Sequence, residues 1–148
     1  MMMLVRVFSI LTATAGIVAA AVLGYMASDR EPPITVISAT VSAFNVMPGG
    51  EIEWRIKFVQ KKRCHIQTDR ALYDALDVRY PLPTLEYQSG VDNLGEEQDI
   101  VLRFLVPNSM ALGPARYEAT TVYRCNILQN IWPIYSPYNP VSFEVTPP

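Results

Sequence analysis

The sequence predicts an all-β fold, an immunoglobulin-like or fibronectin-like antiparallel β-sandwich preceded by one N-terminal transmembrane helix. Three observations carry that expectation. Val7–Ser28 contains no charged residue, Glu51–Phe58 alternates apolar and polar side chains, and short β-rich runs after residue 34 are separated by Gly, Pro and Asn turns.

Val7–Ser28 is 22 residues long. As an α-helix it would reach roughly 33 Å, against about 30 Å of bilayer hydrocarbon. Arg6 precedes it and Asp29-Arg30-Glu31 follows. That bias predicts a single-pass protein with a cytoplasmic N-terminus and a periplasmic or extracellular C-terminal domain. Residues 7–28 are then the contact with the lipid bilayer, and Tyr25 falls near its outer boundary. The competing expectation is a signal peptide cleaved near Ala19-Ala20-Ala21, which would leave a secreted protein. The apolar run continues past that point through Val22–Met26, which favours an anchor over residues 1–28. Ala13, Gly16 and Ala20 give one side of the helix small residues, a surface on which membrane helices pack closely.

Residues 29–33 read as a short stiff spacer ending in Pro32-Pro33, and residues 34–148 as the β-sandwich domain. Ile34–Phe44 suits a first strand. Pro48-Gly49-Gly50 is a turn signal. In the strand that follows, Ile52, Trp54, Ile56 and Phe58 form a dry face opposite Glu51, Glu53, Arg55 and Lys57. RALYD, DVRYPL and TLEYQ read as three short middle strands with a turn near Asp74–Asp77. QDIVLRFLVP aligns Ile100, Leu102, Phe104 and Val106, and ARYEATTVYRC aligns Tyr117, Ala119, Thr121, Tyr123 and Cys125. Val141, Phe143 and Val145 mark the last strand. Strands with one wet face fit antiparallel sheets packed face to face. A small barrel is the alternative.

The 148 residues suffice for one such domain. Net charge is −2, with both signs interspersed, so no basic stripe points to nucleic acid. One histidine limits serine-type triads to His65, and neither a nucleophile elbow nor a phosphate-binding glycine loop is present. Asp69, Asp74 and Asp77, and the group Asp92-Asn93, Glu96 and Asp99, read as solvated turn formers. A loosely held calcium ion is the alternative for the second group. No catalytic residue, metal, cofactor or small-molecule substrate is expected.

Cys64 and Cys125 are the two cysteines. Each is in phase with the inward residues of its strand, and each closes that strand. In a seven-strand sandwich the second and sixth strands run the same way on opposite sheets, so a structural disulfide between sheets is expected. A zinc site would need about four ligands, and only Cys64, His65 and Cys125 are soft candidates. A thiol nucleophile would need a histidine facing it, and His65 points to the other side of any strand. Unpaired buried cysteines are the remaining alternative.

Two surfaces are candidates for contact. Lys61, Lys62 and Arg63 form a basic turn suited to lipid headgroups or an acidic partner. Asn126–Pro140 reads as a stiff loop between the last two strands. It offers Ile131, Trp132, Ile134, Tyr135 and Tyr138 to a protein partner, or to its own sandwich end.

The combination of Pro48-Gly49-Gly50, WRIKF, KKRC, RALYD, Leu112-Gly113-Pro114-Ala115-Arg116-Tyr117, YRCN and Trp132-Pro133 resembles small immunoglobulin-like domains of bacteriophages and bacteria. The resemblance spans about residues 46–145. It implies a virion, membrane-complex or envelope accessory protein without enzymatic activity. The expected function is a non-enzymatic, membrane-anchored interaction or structural protein. The alternative is a secreted carbohydrate- or peptide-binding module.

Overall fold

The computed structural model describes residues 2–87, 94–138 and 140–147, with side chains from Phe8 onward. α1 (Met2–Ser28) is one continuous helix. Its Phe8–Ser28 stretch is long and apolar enough to cross a membrane and is not buried within the protein. Thr12 and Thr14 donate their hydroxyls to carbonyls of the preceding turn, Thr12 to Phe8 and Thr14 to Ile10. Both hydroxyls are thereby satisfied within the helix itself.

Nine strands follow among the described residues: β1 (Ile34–Val41), β2 (Asn45–Val46), β3 (Glu51–Gln60), β4 (His65–Tyr73), β5 (Arg79–Tyr87), β6 (Glu97–Leu105), β7 (Gly113–Arg124), β8 (Ile134–Pro137) and β9 (Val141–Val145). They form two sheets, one ordered β1-β3-β6 and one ordered β2-β9-β7-β4-β5, with β8 also paired to β7. All pairs are antiparallel except β2 with β9. The expected alternation holds in β3, where Ile52, Trp54 and Ile56 are buried and Glu51, Arg55 and Lys57 are exposed.

The sheets meet through aromatic side chains. Trp54 of β3 packs edge-on to Tyr117 of β7, ring centroids 4.6 Å apart, and Phe104 of β6 stacks on the same tyrosine at 5.2 Å. Leu72, Ala115, Phe143 and Val145 complete the main core on the larger sheet. A second cluster of Cys64, Ile66, Tyr123 and Ile134 lies at the end nearest α1.

Three expectations need correction. Arg70–Tyr73 of RALYD is the end of β4 and Asp74 opens the turn after it, while Arg79–Leu82 and Thr84–Tyr87 belong to one strand, β5, despite Pro81 and Pro83. β5 is the outer strand of its sheet, where a missing N–H breaks no ladder. Asn126–Pro140 is not a loop throughout: Ile127–Asn130 is a 3-10 turn and Ile134–Pro137 is β8. β8 and β9 lie along the same edge of β7, with a one-residue slip in register between them. The Tyr138 N–H bonds the Ala119 carbonyl near that slip.

The third correction concerns the cysteines. β3 ends at Gln60, so Cys64 does not continue its inward phase; the chain turns over Lys61–Arg63 and enters β4. β4 and β7 are neighbours in one sheet. The two cysteine-bearing strands are therefore not on opposite sheets, as an immunoglobulin-like arrangement would place them.

Candidate functional site

Cys64 and Cys125 are bonded, with Cα atoms 4.1 Å apart and a sequence separation of 61. His65 pairs with Arg124 in the β4–β7 ladder, so the disulfide stands one step beyond the last rung. It ties together two turns, Lys61–Arg63 and the segment beginning at Asn126. Among the described residues no cysteine is free.

These two turns receive the end of α1. Asn126 Nδ2 donates to the Met26 carbonyl at 3.2 Å, and Gln129 Nε2 donates to the Asp29 carbonyl at 2.8 Å. Gln129 is buried, and its Oε1 accepts from the Cys125 N–H at 2.7 Å. One amide thus joins the disulfide to the tether. Arg30 donates to the Trp132 and Pro133 carbonyls at 2.7 and 3.0 Å, and its guanidinium lies 4.2 Å from the Trp132 ring centre. Lys62 pairs with Asp29, the Lys61 N–H bonds the Pro33 carbonyl, and Pro33 is buried. Residues 29–33, expected to be a spacer, are held against the domain at each of these points.

The five aromatic and aliphatic candidates divide. Ile134 is buried in the second cluster, and Tyr138 is half-buried, edge-on to Trp54 at 5.4 Å. Their packing is internal. Ile131, Trp132 and Tyr135 are exposed, and Ile127 joins them. Lys61 and Arg63 are exposed, whereas Lys62 is committed to Asp29. Ala13, Gly16 and Ala20 are exposed along α1, with open space beside Gly16.

At the opposite end, Asp74 organises the turn between β4 and β5. Its carboxylate accepts from the N–H groups of Leu76, Val78 and Ala111 and from the Tyr80 hydroxyl. Burial would raise this carboxyl, but those four donors outweigh it and hold it below the usual range. Phe44, Leu76 and Leu112 are exposed at this end. Gly113 adjoins Ala75, and Phe44 bonds Glu144 of β9, so the three loops are close neighbours. No sequence pattern marked this group, because its members come from three separate turns.

Between the sheets lies a cavity of about 200 Å³, lined by Trp54, Ile56 and Ile100 on one side and Tyr117, Ala119 and Tyr123 on the other. Burial pushes the Tyr117 hydroxyl up to about 12, and the Arg70 guanidinium offsets part of that. Burial also pushes Tyr123 up to about 12. Trp54 Nε1 is buried without a hydrogen-bond partner among the described residues, and the Tyr117 hydroxyl donates to no acceptor there. The cavity lining is predominantly apolar. Sequence periodicity marks which residues face inward but not where two sheets stand apart.

Among the described residues no group of three His, Cys, Asp or Glu side chains could hold a metal. His65 is half-buried at the start of β4. Asp92 and Asn93, half of the loose calcium group, lie outside the described residues.

No protein-family model matches the chain, and no curated protein does. Solved structures of similar shape include the sporulation control protein Spo0M from Bacillus subtilis, at 13% identity and TM-score 0.47, covering 78% of this chain and 50% of that one. This chain thus spans half the length of Spo0M. A Niemann-Pick type C2 protein from the Japanese carpenter ant matches at 13% identity and TM-score 0.48, covering 78% and 94%. The C-terminal domain of wzt matches at 11% identity and TM-score 0.48, covering 80% and 76%. These similarities identify no family, phage-encoded or otherwise.

Proposed function

We propose that this chain is a non-enzymatic, single-pass membrane protein whose C-terminal β domain is an interaction or structural module outside the cytoplasm. Within this reading the N-terminus is cytoplasmic, and the domain serves as an accessory subunit of a membrane complex or a structural component of a virion or envelope. The observation that carries it is the junction of Met26, Asp29 and Arg30 with Asn126, Gln129 and Trp132. A domain on a loose tether needs no such contacts, and one that must present a fixed end to a neighbour does. The end so presented carries Phe44, Leu76 and Leu112, and a protein partner is the occupant it suits.

Intact mass of the protein purified from membranes tests the anchor, with retention of residues 7–28 expected. Loss of about twenty N-terminal residues would overturn the anchor and favour the secreted alternative. Co-purification from mild detergent tests the partner. Replacement of Leu76 and Leu112 by Ser is expected to release it with the fold intact.

The inter-sheet cavity favours a second reading, a carrier of one small apolar ligand. About 150 Å³ of apolar cavity accommodates a benzene-sized molecule, so 200 Å³ suits a single ring or a short hydrocarbon chain. The apolar lining disfavours a carbohydrate. Native mass spectrometry of the detergent-purified chain is expected to show a bound apolar adduct that Ala119→Leu displaces. An unliganded mass for both proteins would sink this reading.

A further inference from the structure

From the junction we infer that the end of the domain beside α1 is seated in the lipid interface, with Ile127, Ile131 and Trp132 as its apolar contacts. The occupant of this surface is the bilayer that α1 enters, not a protein partner, and the inference rests on α1 spanning that bilayer.

Depth comes from the hydrogen bonds. Met26 belongs to the apolar stretch Phe8–Ser28. A residue bonded to its carbonyl, as Asn126 is, therefore lies at the level where hydrocarbon gives way to headgroups. The 3-10 turn Ile127–Asn130 begins at the next residue. Its conformation is fixed: the Asn126 side chain accepts from the Gln129 N–H at 3.1 Å, and Gln129 is itself held by Asp29 and Cys125. This rigid turn nevertheless leaves Ile127 75% exposed, Ile131 87% and Trp132 60%. Three large apolar side chains held outward at that depth match the composition of a membrane-interface belt. Tyr25, exposed on α1 one residue before Met26, supplies a second aromatic at the same level.

Charge plays a small part. Lys61 and Arg63 are exposed here, and neither side chain has an ion-pair partner among the described residues. Glu31 and Glu96 are exposed at the same end and offset these two cations. The seat is apolar, and zwitterionic lipid suffices for it.

The chain has two tryptophans, one buried at Trp54 (3% exposed) and one at Trp132. The full chain is reconstituted into phosphatidylcholine nanodiscs with bromine placed shallow or deep on the acyl chains. Co-elution with the disc reports the anchor, and quenching reports the seat, so the two fail separately. Shallow bromine is expected to quench the Trp132 component by about half or more, and deep bromine less. Trp132→Phe removes the quenchable component, and Ile127→Ser with Ile131→Ser reduces it without disturbing Trp54 emission. Trp132 emission that ignores brominated lipid and is freely quenched by aqueous iodide would overturn the seat. Shielding of Trp132 that appears only with a co-purified protein would overturn it in favour of a protein contact.

Discussion

Cys64 and Cys125 face each other one step past the His65–Arg124 pair, so their bond closes the open end of the β4–β7 ladder. The 61-residue separation gives a loop-entropy stabilisation of roughly 4 kcal/mol. Replacing both cysteines by Ser is expected to lower unfolding free energy by about that amount. Urea titration of the full chain in detergent, with and without reductant, measures it. Equal midpoints would show that the bond does not constrain the unfolded chain.

Tyr117 bridges the sheets through its ring, not its hydroxyl. It lies between Trp54 and Phe104, and its OH donates to no acceptor among the described residues. Tyr117→Phe is therefore expected to be neutral or stabilising by up to about 1 kcal/mol. Tyr117→Ala is expected to cost about 3–5 kcal/mol. Thermal melts of the two variants decide, and a large loss for Tyr117→Phe would mean the hydroxyl has a partner that matters.

Arg30 holds the tether by two carbonyls and one ring. Arg30→Ala is expected to cost the domain only about 1 kcal/mol while loosening the junction. Hydrogen exchange is the appropriate measurement. Amides of Ile127–Trp132 are expected to exchange faster, with those of β3 and β7 unchanged. Unchanged exchange across the turn would remove Arg30 from the account.

Asp74 links acid stability to the far end of the domain. Its carboxyl is held below the ordinary aspartate range in the folded state, so its stabilisation is fully present above that ordinary range. It is lost as pH falls through the lower folded value. Wild-type stability is expected to drop with acid in that window, and Asp74→Asn to be less stable at neutral pH with a shallower acid dependence. Melts at neutral pH and below pH 4 compare them; parallel curves would show that Asp74 does not carry the effect.

What could be read from the residues depended on how local the cause was. β3 was legible because one buried face forces period two on Ile52, Trp54 and Ile56. The apolar length of α1 was legible for a similar reason. The phase reading of Cys64 required the strand of Trp54 to run on past Phe58, and phase in any case names a side of a strand, not a sheet. β3 stops at Gln60, and that short turn moves Cys64 to the other layer. β8 was hidden because Pro133 and Pro137 flank Ile134–Ser136 and its pairing to β7 is not encoded locally. The junction was the least visible part. Arg30, Asn126 and Gln129 reach backbone carbonyls about a hundred residues away, and any residue type supplies a carbonyl.

Pro81 and Pro83 lie in β5, the outermost strand of the larger sheet. Neither has an N–H to offer an incoming strand. A protein confined to the plane of a bilayer meets copies of itself far more often than one free in solution, and always in the same orientation. Along this border, two donor-less positions interrupt the backbone pattern that a neighbouring copy would need to continue the sheet. If α1 anchors the chain in a bilayer as proposed, dense packing there is thereby kept from becoming a polymer through that side.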